Sequence, residues 1–415
     1  MFEKFYDSPL RIQALRDGPG GRALEKFAQN LWESRYAIGS ARPHIRAAEH
    51  FIYWAHQQAI PVPSLDVEAL ERFNRHLSKC RCPDYGPTRR IVRRCGARMF
   101  LTHLRSAGVA SGAVVDPTNR DPVLLTAFRR WMCEQRGTRE STLDNYSRPI
   151  LDLLRGVGED PTLLDAQRLR QFVLKRNQQQ GWGATKNRVK ALRMFVRFLI
   201  ADGRCAADLD AAIPVVAHWR QACLPRYLQP QEVERVIAGC DPAFPVGRRD
   251  RAILLLLARL GLRASDIVQL RQSDIDWQGA WIQVSGKGRR QTQLPLTQEV
   301  GEALAAYVQD GRPATDAEAV FVRSCAPHHA FGSHCAVSAI VDRALYRAAV
   351  TRPSRGATHL LRHSLATAML RQGAPLQDIS AVLRHRSITT TQVYAKVDVD
   401  ALRQIAQPWP EVPSC

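Results

Sequence analysis

A mainly α-helical protein with one small antiparallel β-sheet is the fold that this 415-residue sequence predicts. Apolar residues return at steps of three and four through most of the chain, as in Val189, Leu192, Val196 and Leu199, the repeat of a helix with one buried face. Two short runs, Ala280–Ser285 and Gln291–Pro295, read as strands, and Gly286-Lys287-Gly288 between them reads as a hairpin turn. Helix breakers divide the chain twice: Gly112–Pro122 is rich in Gly, Pro, Asp and Asn, and Ala206–Arg226 contains Pro214 and Pro225. The expected organisation is a helical domain over 1–111, a linker over 112–122, a second helical domain over 123–206, a linker over 207–224 and a mixed α/β domain over 225–415.

The first two blocks resemble each other. Leu24 and Phe27 open one as Leu125 and Phe128 open the other. Leu65-Asp66 with Leu70 and Phe73 corresponds to Leu164-Asp165 with Leu169 and Phe172, and Phe100-Leu101 with Gly108 to Phe198-Leu199 with Gly203. A steady offset of this kind suggests a duplicated helical unit. In the second block Thr185 or Gly183 marks the start of the last helix. Its polar side carries Lys186, Lys190, Arg193 and Arg197, one basic stripe about three turns long. Arg90, Arg94 and Arg98 form a second stripe in the first block, with Arg89 and Arg93 beside them. Two such stripes at matching places favour surfaces that track phosphates.

The third block opens with helices over Gln231–Cys240 and Arg249–Leu260, then the strand pair. Helices resume over Ala336–Ala349, His359–Gln372, Pro375–Leu383, Thr389–Tyr394 and, at the end, Val399–Ile405. Arg343 and Arg347, four apart, are further candidates for DNA contact.

Composition bounds the partner. Lys and Arg number 59 against 39 Asp and Glu, giving a net charge of +20. A polyanion is the natural partner, because cationic side chains gain by releasing counterions condensed on a phosphate backbone. Residues 1–10 carry Glu3, Lys4 and Asp7 and lack the apolar core of a signal peptide. The longest apolar run, Ala252–Ala258, is too short to span a membrane. No membrane partner is expected, and the location is read as cytoplasmic and nucleoid-associated. The ten cysteines are scattered and read as reduced. His76, Cys80, Cys82 and Cys95 form one group with metal-like spacing, and Cys325, His328, His329, His334 and Cys335 another. Neither matches an established zinc pattern, so no metal and no cofactor are expected.

Two segments carry chemistry. In His359-Leu-Leu-Arg362-His363, His359 and Arg362 share a face near a helix start, where backbone N–H groups already favour an anion. An Arg there can hold two phosphate oxygens with its planar fork, and a His beside it can move a proton near neutral pH. In Leu383-Arg384-His385-Arg386-Ser387, His385 sits in a turn, Ser387 or Thr389 can cap the helix after that turn, and Tyr394 lies seven residues beyond Ser387. A phenol ionises near pH 10, so Tyr394 as a nucleophile requires a cationic pocket that lowers its pKa.

These segments, with Gly261-Leu262-Arg263-Ala264-Ser265-Asp266 and Ser285-Gly286-Lys287-Gly288, resemble the motifs of the tyrosine recombinases, or phage-integrase family, in that family's order. The match departs from the family pattern at Arg384, in place of Gly, and at Asp266, in place of Glu. The second block is similar to the family's helical core-binding domain, and the first reads as an additional SAM-like DNA-binding arm. The resemblance implies a catalytic set of Arg263, Lys287, His359, Arg362, His385 and Tyr394. Arg263 and Arg362 would hold the non-bridging phosphate oxygens and Tyr394 would attack to form a 3′-phosphotyrosyl link. Lys287 would protonate the leaving 5′-oxygen, His359 would serve the Tyr394 proton, and His385 would donate to the phosphate. It further implies strand exchange without metal or ATP, by a homotetramer on two specific double-stranded DNA sites, with partner recombinases as additional candidates. The C-terminal stretch from Ala395 to Pro410 is similar to recombinases of mobile elements, which implies integration or transposition.

Overall fold

The computed structural model describes residues 1–83, 85, 90–110, 121–177, 181–215, 224–285, 291–351, 356–397 and 403, with backbone alone at 90–93, 176, 177 and 182. The chain forms two compact units, Met1–Ser111 together with Gln221–Cys415, and Gly112–Arg220. Three large hydrophobic cores lie within them, one in each of the three blocks.

The first block contains α1 (Pro9–Asp17), α2 (Gly21–Glu33), α3 (Ile38–Gln57), α4 (Val67–His76) and α5 (Arg90–Ser106). Local sequence starts two of these helices: Ser8 Oγ accepts from the Arg11 amide, and Asp66 Oδ1 accepts from the Ala69 amide at 2.8 Å. Phe27, Phe51, Phe73 and Phe100 fill the core, with Phe27 and Phe100 edge to face at 5.4 Å. Gly96 lets α5 lie close on α3, since a Cβ there would stand 2.6 Å from that of Ala47.

The second block contains α6 (Val123–Arg136), α7 (Glu140–Val157), α8 (Ala166–Asn177) and α9 (Trp182–Ala201). It repeats the order α2 to α5, down to a 3-10 turn before the third helix: Val62–Ser64 in one block, Pro161–Leu163 in the other. Asp165 Oδ1 takes the Arg168 amide at 2.7 Å, as Asp66 takes that of Ala69. Of the paired positions in the sequence, Leu24, Phe27, Leu70, Phe73, Phe100 and Leu101 are buried, and so are Leu125, Phe128, Leu169, Phe198 and Leu199. The last helix has Gly181 as its N-cap, ahead of both expected starts, Gly183 and Thr185, and Thr185 is buried inside it.

The third block contains α10 (Pro230–Ala238), α11 (Pro245–Ala258), α12 (Ala264–Gln269), α13 (Gln298–Asp310), α14 (His334–Arg347), α15 (Ala357–Arg371) and α16 (Leu376–Val382). Its sheet runs β1 (Ile275–Asp276), β2 (Trp281–Ser285) and β3 (Gln291–Pro295), in that order and antiparallel. The sequence pattern missed β1, because two residues carry no periodicity. Ile282 and Val284 point inward with the period of two that a half-buried strand requires. The apolar run in α11 is buried on every side: Ile253 to Leu257 are all fully enclosed. The helix α15 serves two cores. Leu360 and Leu361 belong to the large one, while Ala366 joins Ile379, Leu383 and Tyr394 in a small one. The helix expected over Thr389–Tyr394 is instead two 3-10 turns, Ile388–Thr390 and Tyr394–Val397. The β-branched run Ile388 to Thr391 disfavours a continuous helix there. The final helix expected at 399–405 lies outside the described residues except for Arg403. The hairpin turn at 286–288 lies outside them as well.

Candidate active site

The site forms where the end of α11, the start of α15 and the end of α16 meet. Gly261 makes this approach feasible. Its φ is +58°, and a Cβ would stand 2.9 Å from Leu383 Cδ2 and 3.0 Å from Leu365 Cδ2. The Gly261 carbonyl accepts from Arg362 Nη1, and the Leu383 carbonyl accepts from Arg362 Nη2. Arg263, at the N-cap of α12, donates Nη2 to the carbonyl of Arg384 at 3.2 Å. Two guanidiniums thus converge on the backbone just ahead of His385.

That backbone ends α16 in a Schellman motif. The Arg384 amide donates to Ala381 O at 2.9 Å and the His385 amide to Ser380 O at 3.0 Å. Such a motif places its C′ residue in the left-handed region, where Gly is favoured, yet Arg384 sits there with φ +52°. Its guanidinium explains the exchange. Arg384 Nη2 pairs with Asp266 Oδ2 at 2.7 Å, and the two side chains are only 6% and 4% exposed. Asp266 Oδ2 also accepts from the Arg263 amide at 2.9 Å, which fixes the start of α12. The two departures from the family pattern are therefore partners, and they meet beside Arg263 at the start of α12.

Three guanidiniums around one carboxylate leave the pocket strongly positive. Burial, then Arg263 and Arg384, push the Arg362 pKa down to about 9. Arg263 is lowered by burial, with Asp266 opposing and Arg384 adding to the effect. Arg384 Nε and Nη1 are buried and have no hydrogen-bond partner among the described residues.

Tyr394 is 1% exposed, and its hydroxyl lies 2.6 Å from His363 Nδ1. This corrects two expectations. His363, and not His359, holds the Tyr394 hydroxyl. The Tyr394 pKa is pushed up to about 12, because burial outweighs the opposing pull of Arg362. Burial also pushes His363 down to about 4, with help from His359 and Arg362. A neutral imidazole facing a protonated phenol is the result; in the tautomer that carries its proton on Nε2, His363 Nδ1 accepts from the Tyr394 hydroxyl. His385 Nδ1 lies 2.7 Å from Thr391 Oγ1, and burial, then Arg362 and Arg263, pushes its pKa to about 4. His359 is lowered by burial and then by Arg362.

A profile described as the phage integrase family matches residues 226–400. Over 412 residues the chain is 34% identical to a putative integrase/recombinase, y4rA, of Sinorhizobium fredii, covering 98% of both chains. The chain belongs to the tyrosine recombinase family. The activity of that family is site-specific recombination. The tyrosine recombinase XerD of Lacticaseibacillus casei is 28% identical over 280 residues, 65% of this chain and 92% of that one. Among solved structures, XerH bound to a palindromic difH substrate, in a post-cleavage complex, matches with a TM-score of 0.55 at 18% identity. The match covers 82% of this chain and 95% of that one and shows a common fold.

In this recombinase the fold brings Arg263, His359, Arg362, His385 and Tyr394 together, while Lys287 lies outside the described residues. A groove lined by Asp266, Gln269, Arg271, Ser285 and Gln291 runs from α12 to the strand ends that flank Lys287. His363 escaped assignment because the family box offers it no role by spacing alone. The signal was there: a third ionisable residue beside Arg362 in the same box. The Asp266–Arg384 pair spans 118 positions in the chain, which no local pattern reveals.

Of the cations in the basic stripes, two are tied to their own domain. Arg94 and Arg98 are exposed on α5, and the Arg90 side chain lies outside the described residues. Lys186 and Lys190 are exposed on α9. Arg193 and Arg197 turn to their own domain: Arg193 Nη2 donates to Ile213 O at 2.9 Å, and Arg197 Nε pairs with Asp210 Oδ2 at 2.7 Å. The spacing that put four cations on one face could not foresee that the turn Leu209–Ala212 and its C-cap Ile213 would use two of them. Arg347 is similarly tied, donating to Gly239 O at 3.1 Å. No helix among the described residues is long and apolar enough to cross a membrane.

Proposed function

We propose that this recombinase cuts and rejoins double-stranded DNA through a 3′-phosphotyrosyl intermediate on Tyr394, without metal or ATP in the chemical step, and that it serves the integration or transposition of a mobile element. The observation that carries the chemistry is the Tyr394 hydroxyl, 2.6 Å from a neutral His363 nitrogen and beside a pocket of arginines. Arg263 and Arg362 exchange their backbone carbonyl partners for the non-bridging oxygens of the scissile phosphate. Tyr394 Oη attacks phosphorus and passes its proton to His363 Nδ1. His359, whose ring centroid lies 6.3 Å from that of His363, is the next carrier of that proton. The bond from phosphorus to the 5′-oxygen breaks as Lys287 protonates that oxygen, and His385 donates to the phosphate in the transition state. A 5′-hydroxyl from a second strand reverses these steps, so the phosphotyrosyl bond conserves the energy of the phosphodiester. Losing one donor at such a centre costs about 10²–10³ in rate.

Exchange between two duplex sites breaks one bond in each of their strands, and each break uses one tyrosine. A homotetramer on two specific sites, alone or with partner recombinases, accounts for that stoichiometry. The first block repeats the element order of the second, and we assign it as a second copy of the core-binding domain that grips DNA outside the crossover.

A suicide substrate with a nick next to the cleavage point tests the nucleophile. Wild type forms a nuclease-resistant DNA–protein adduct without added metal or ATP, and Tyr394→Phe forms none; an undiminished adduct in the variant overturns the assignment. For Lys287→Ala, a 5′-bridging phosphorothiolate, whose leaving group needs no proton, restores cleavage. Absence of rescue removes Lys287 as the acid.

A further inference from the structure

We propose that the N-terminal block binds one structural zinc ion through His50, His76, Cys80 and Cys82. The four donor atoms lie within 4.8 Å of one another, and the inference is independent of the recombination chemistry. Cys80 Sγ stands 3.4 Å from His50 Nε2, and Cys82 Sγ stands 3.3 Å from His76 Nε2. Around zinc, sulfur sits near 2.3 Å and imidazole nitrogen near 2.0–2.1 Å, so the sulfur-to-nitrogen edge of the tetrahedron is about 3.6 Å. Both pairs fall within a few tenths of an ångström of that edge.

The donors identify the metal by class. Two thiolates with two imidazoles suit zinc and reject magnesium, calcium and manganese, which take oxygen ligands. Four protein donors close the coordination sphere, so the ion has a structural role and no position for a substrate. Two thiolates also neutralise the dication, and a neutral centre is tolerable in a basic, half-buried place. The imidazoles are held in advance by their surroundings. The His50 ring stacks on Tyr85 at 4.1 Å and meets the edge of Phe73 at 5.1 Å, and the His76 ring stacks on Phe73 at 6.1 Å. Such packing fixes ring orientation as outer-shell contacts do in metal sites.

Placement explains why spacing alone missed this group. Spacing suggested Cys95 as the fourth member beside His76, Cys80 and Cys82. In the structure Cys95 is exposed on α5, its Sγ 3.9 Å from Met99 Sδ, and His50 replaces it from the middle of α3. The five residues of the second spacing group are not gathered; the His50, His76, Cys80 and Cys82 cluster is the metal-capable one among the described residues. The ion would tie three parts together: α3, the end of α4, and the irregular segment carrying Cys80 and Cys82 that leads towards α5 and its exposed Arg94 and Arg98.

The test uses the full chain, purified under reducing conditions without a polyhistidine tag and without added metal. Mass spectrometry of metals should find about one zinc per chain, and Cys80→Ser with Cys82→Ser should reduce it to less than about a tenth. Cys325→Ser with Cys335→Ser, and Cys95→Ser, should retain the full amount. Cobalt(II) in place of zinc keeps the test decisive if the first variant fails to fold: wild type should show the intense visible bands of tetrahedral cobalt and a thiolate charge-transfer band. The proposal is overturned by wild type that carries no zinc and takes none when it is offered, by a Cys80–Cys82 disulfide in the reduced preparation, by weak octahedral cobalt bands, or by zinc that survives loss of both cysteines.

Discussion

Replacing Arg384 by Gly restores the residue that the end of α16 prefers, and the structure predicts that the protein nevertheless becomes less stable. Arg384 occupies the left-handed region at φ +52°, a conformation that costs a non-glycine residue about 1–2 kcal/mol. Gly recovers that amount. Against it stands the ion pair with Asp266, whose side chains are 6% and 4% exposed at 2.7 Å. Removing one partner of a buried pair costs about 3–5 kcal/mol, because the other charge stays buried. The Arg263 amide still donates to Asp266, which favours the lower end of that range. The balance is a destabilisation of about 1–4 kcal/mol, concentrated at the junction of α12 and α16. Hydrogen exchange read by mass spectrometry, on peptides covering 260–270 and 376–388, measures it as faster exchange in the variant. Arg384→Ala should exchange faster still, since it loses the pair and keeps the left-handed cost. A Gly variant at least as protected as wild type would refute the reasoning: the pair would then contribute nothing net.

His363→Phe removes the acceptor of the Tyr394 hydroxyl; adduct formation should fall by about 10²–10⁴ while binding of the DNA site stays near wild type, as gel shift can show. An unchanged cleavage rate would return the proton to His359. The pH dependence comes from the same groups. His363 and His385, both near pKa 4 when folded against 6.5 ordinarily, are neutral in the native state. The unfolded chain therefore binds more protons between pH 6.5 and 4, and stability should fall as pH drops through that window and level off above it. For His363 alone the full loss is on the order of 3 kcal/mol. Denaturant midpoints from pH 4 to 8 check this, and a flat profile contradicts it. For the α9 stripe, Lys190→Ala should lower the salt slope of DNA binding by about 0.9, as one phosphate contact is lost. Arg197→Ala should leave the slope alone and weaken the fold by less than about 1 kcal/mol, since its pair with Asp210 is half exposed.

Legibility in the sequence tracked the range of each interaction. The strand Gln291–Pro295 and the helices α10, α11, α14, α15 and α16 were readable because periodicity and breakers act within a few residues, while α12 and α13 went unassigned. The residues that gather at the candidate site, Arg263, His359, Arg362, His385 and Tyr394, were readable because each family motif is local. Contacts that close over long stretches of chain were not readable. Arg384 meets Asp266 across 118 positions, and Cys80 meets His50 across 30. Charge patterning failed for a related reason: Arg193 and Arg197 have the right spacing, but Ile213 and Asp210 return to them from beyond the helix.

The raised Tyr394 pKa fits a nucleophile that is held back until DNA arrives. The expectation of a lowered pKa counted the arginines and left out the burial. In the folded chain burial dominates, and the phenol keeps its proton against a neutral His363. The arginines meanwhile satisfy the carbonyls at Gly261, Leu383 and Arg384, at the cost of crowding three guanidiniums around Asp266. On the proposed chemistry, a phosphodiester entering this pocket supplies the negative charge that crowding calls for, so Arg362 should regain the part of its pKa that Arg263 and Arg384 take from it. The same phosphate gives Tyr394 something to attack only once Arg263 and Arg362 have left the backbone. Binding of the correct site and arming of the nucleophile then become a single event. Tyr394 should therefore react with small electrophiles no faster than an ordinary buried tyrosine when DNA is absent. Rapid modification of Tyr394 in the DNA-free protein at neutral pH would show that the pocket arms it in advance, and would break the link between burial and restraint.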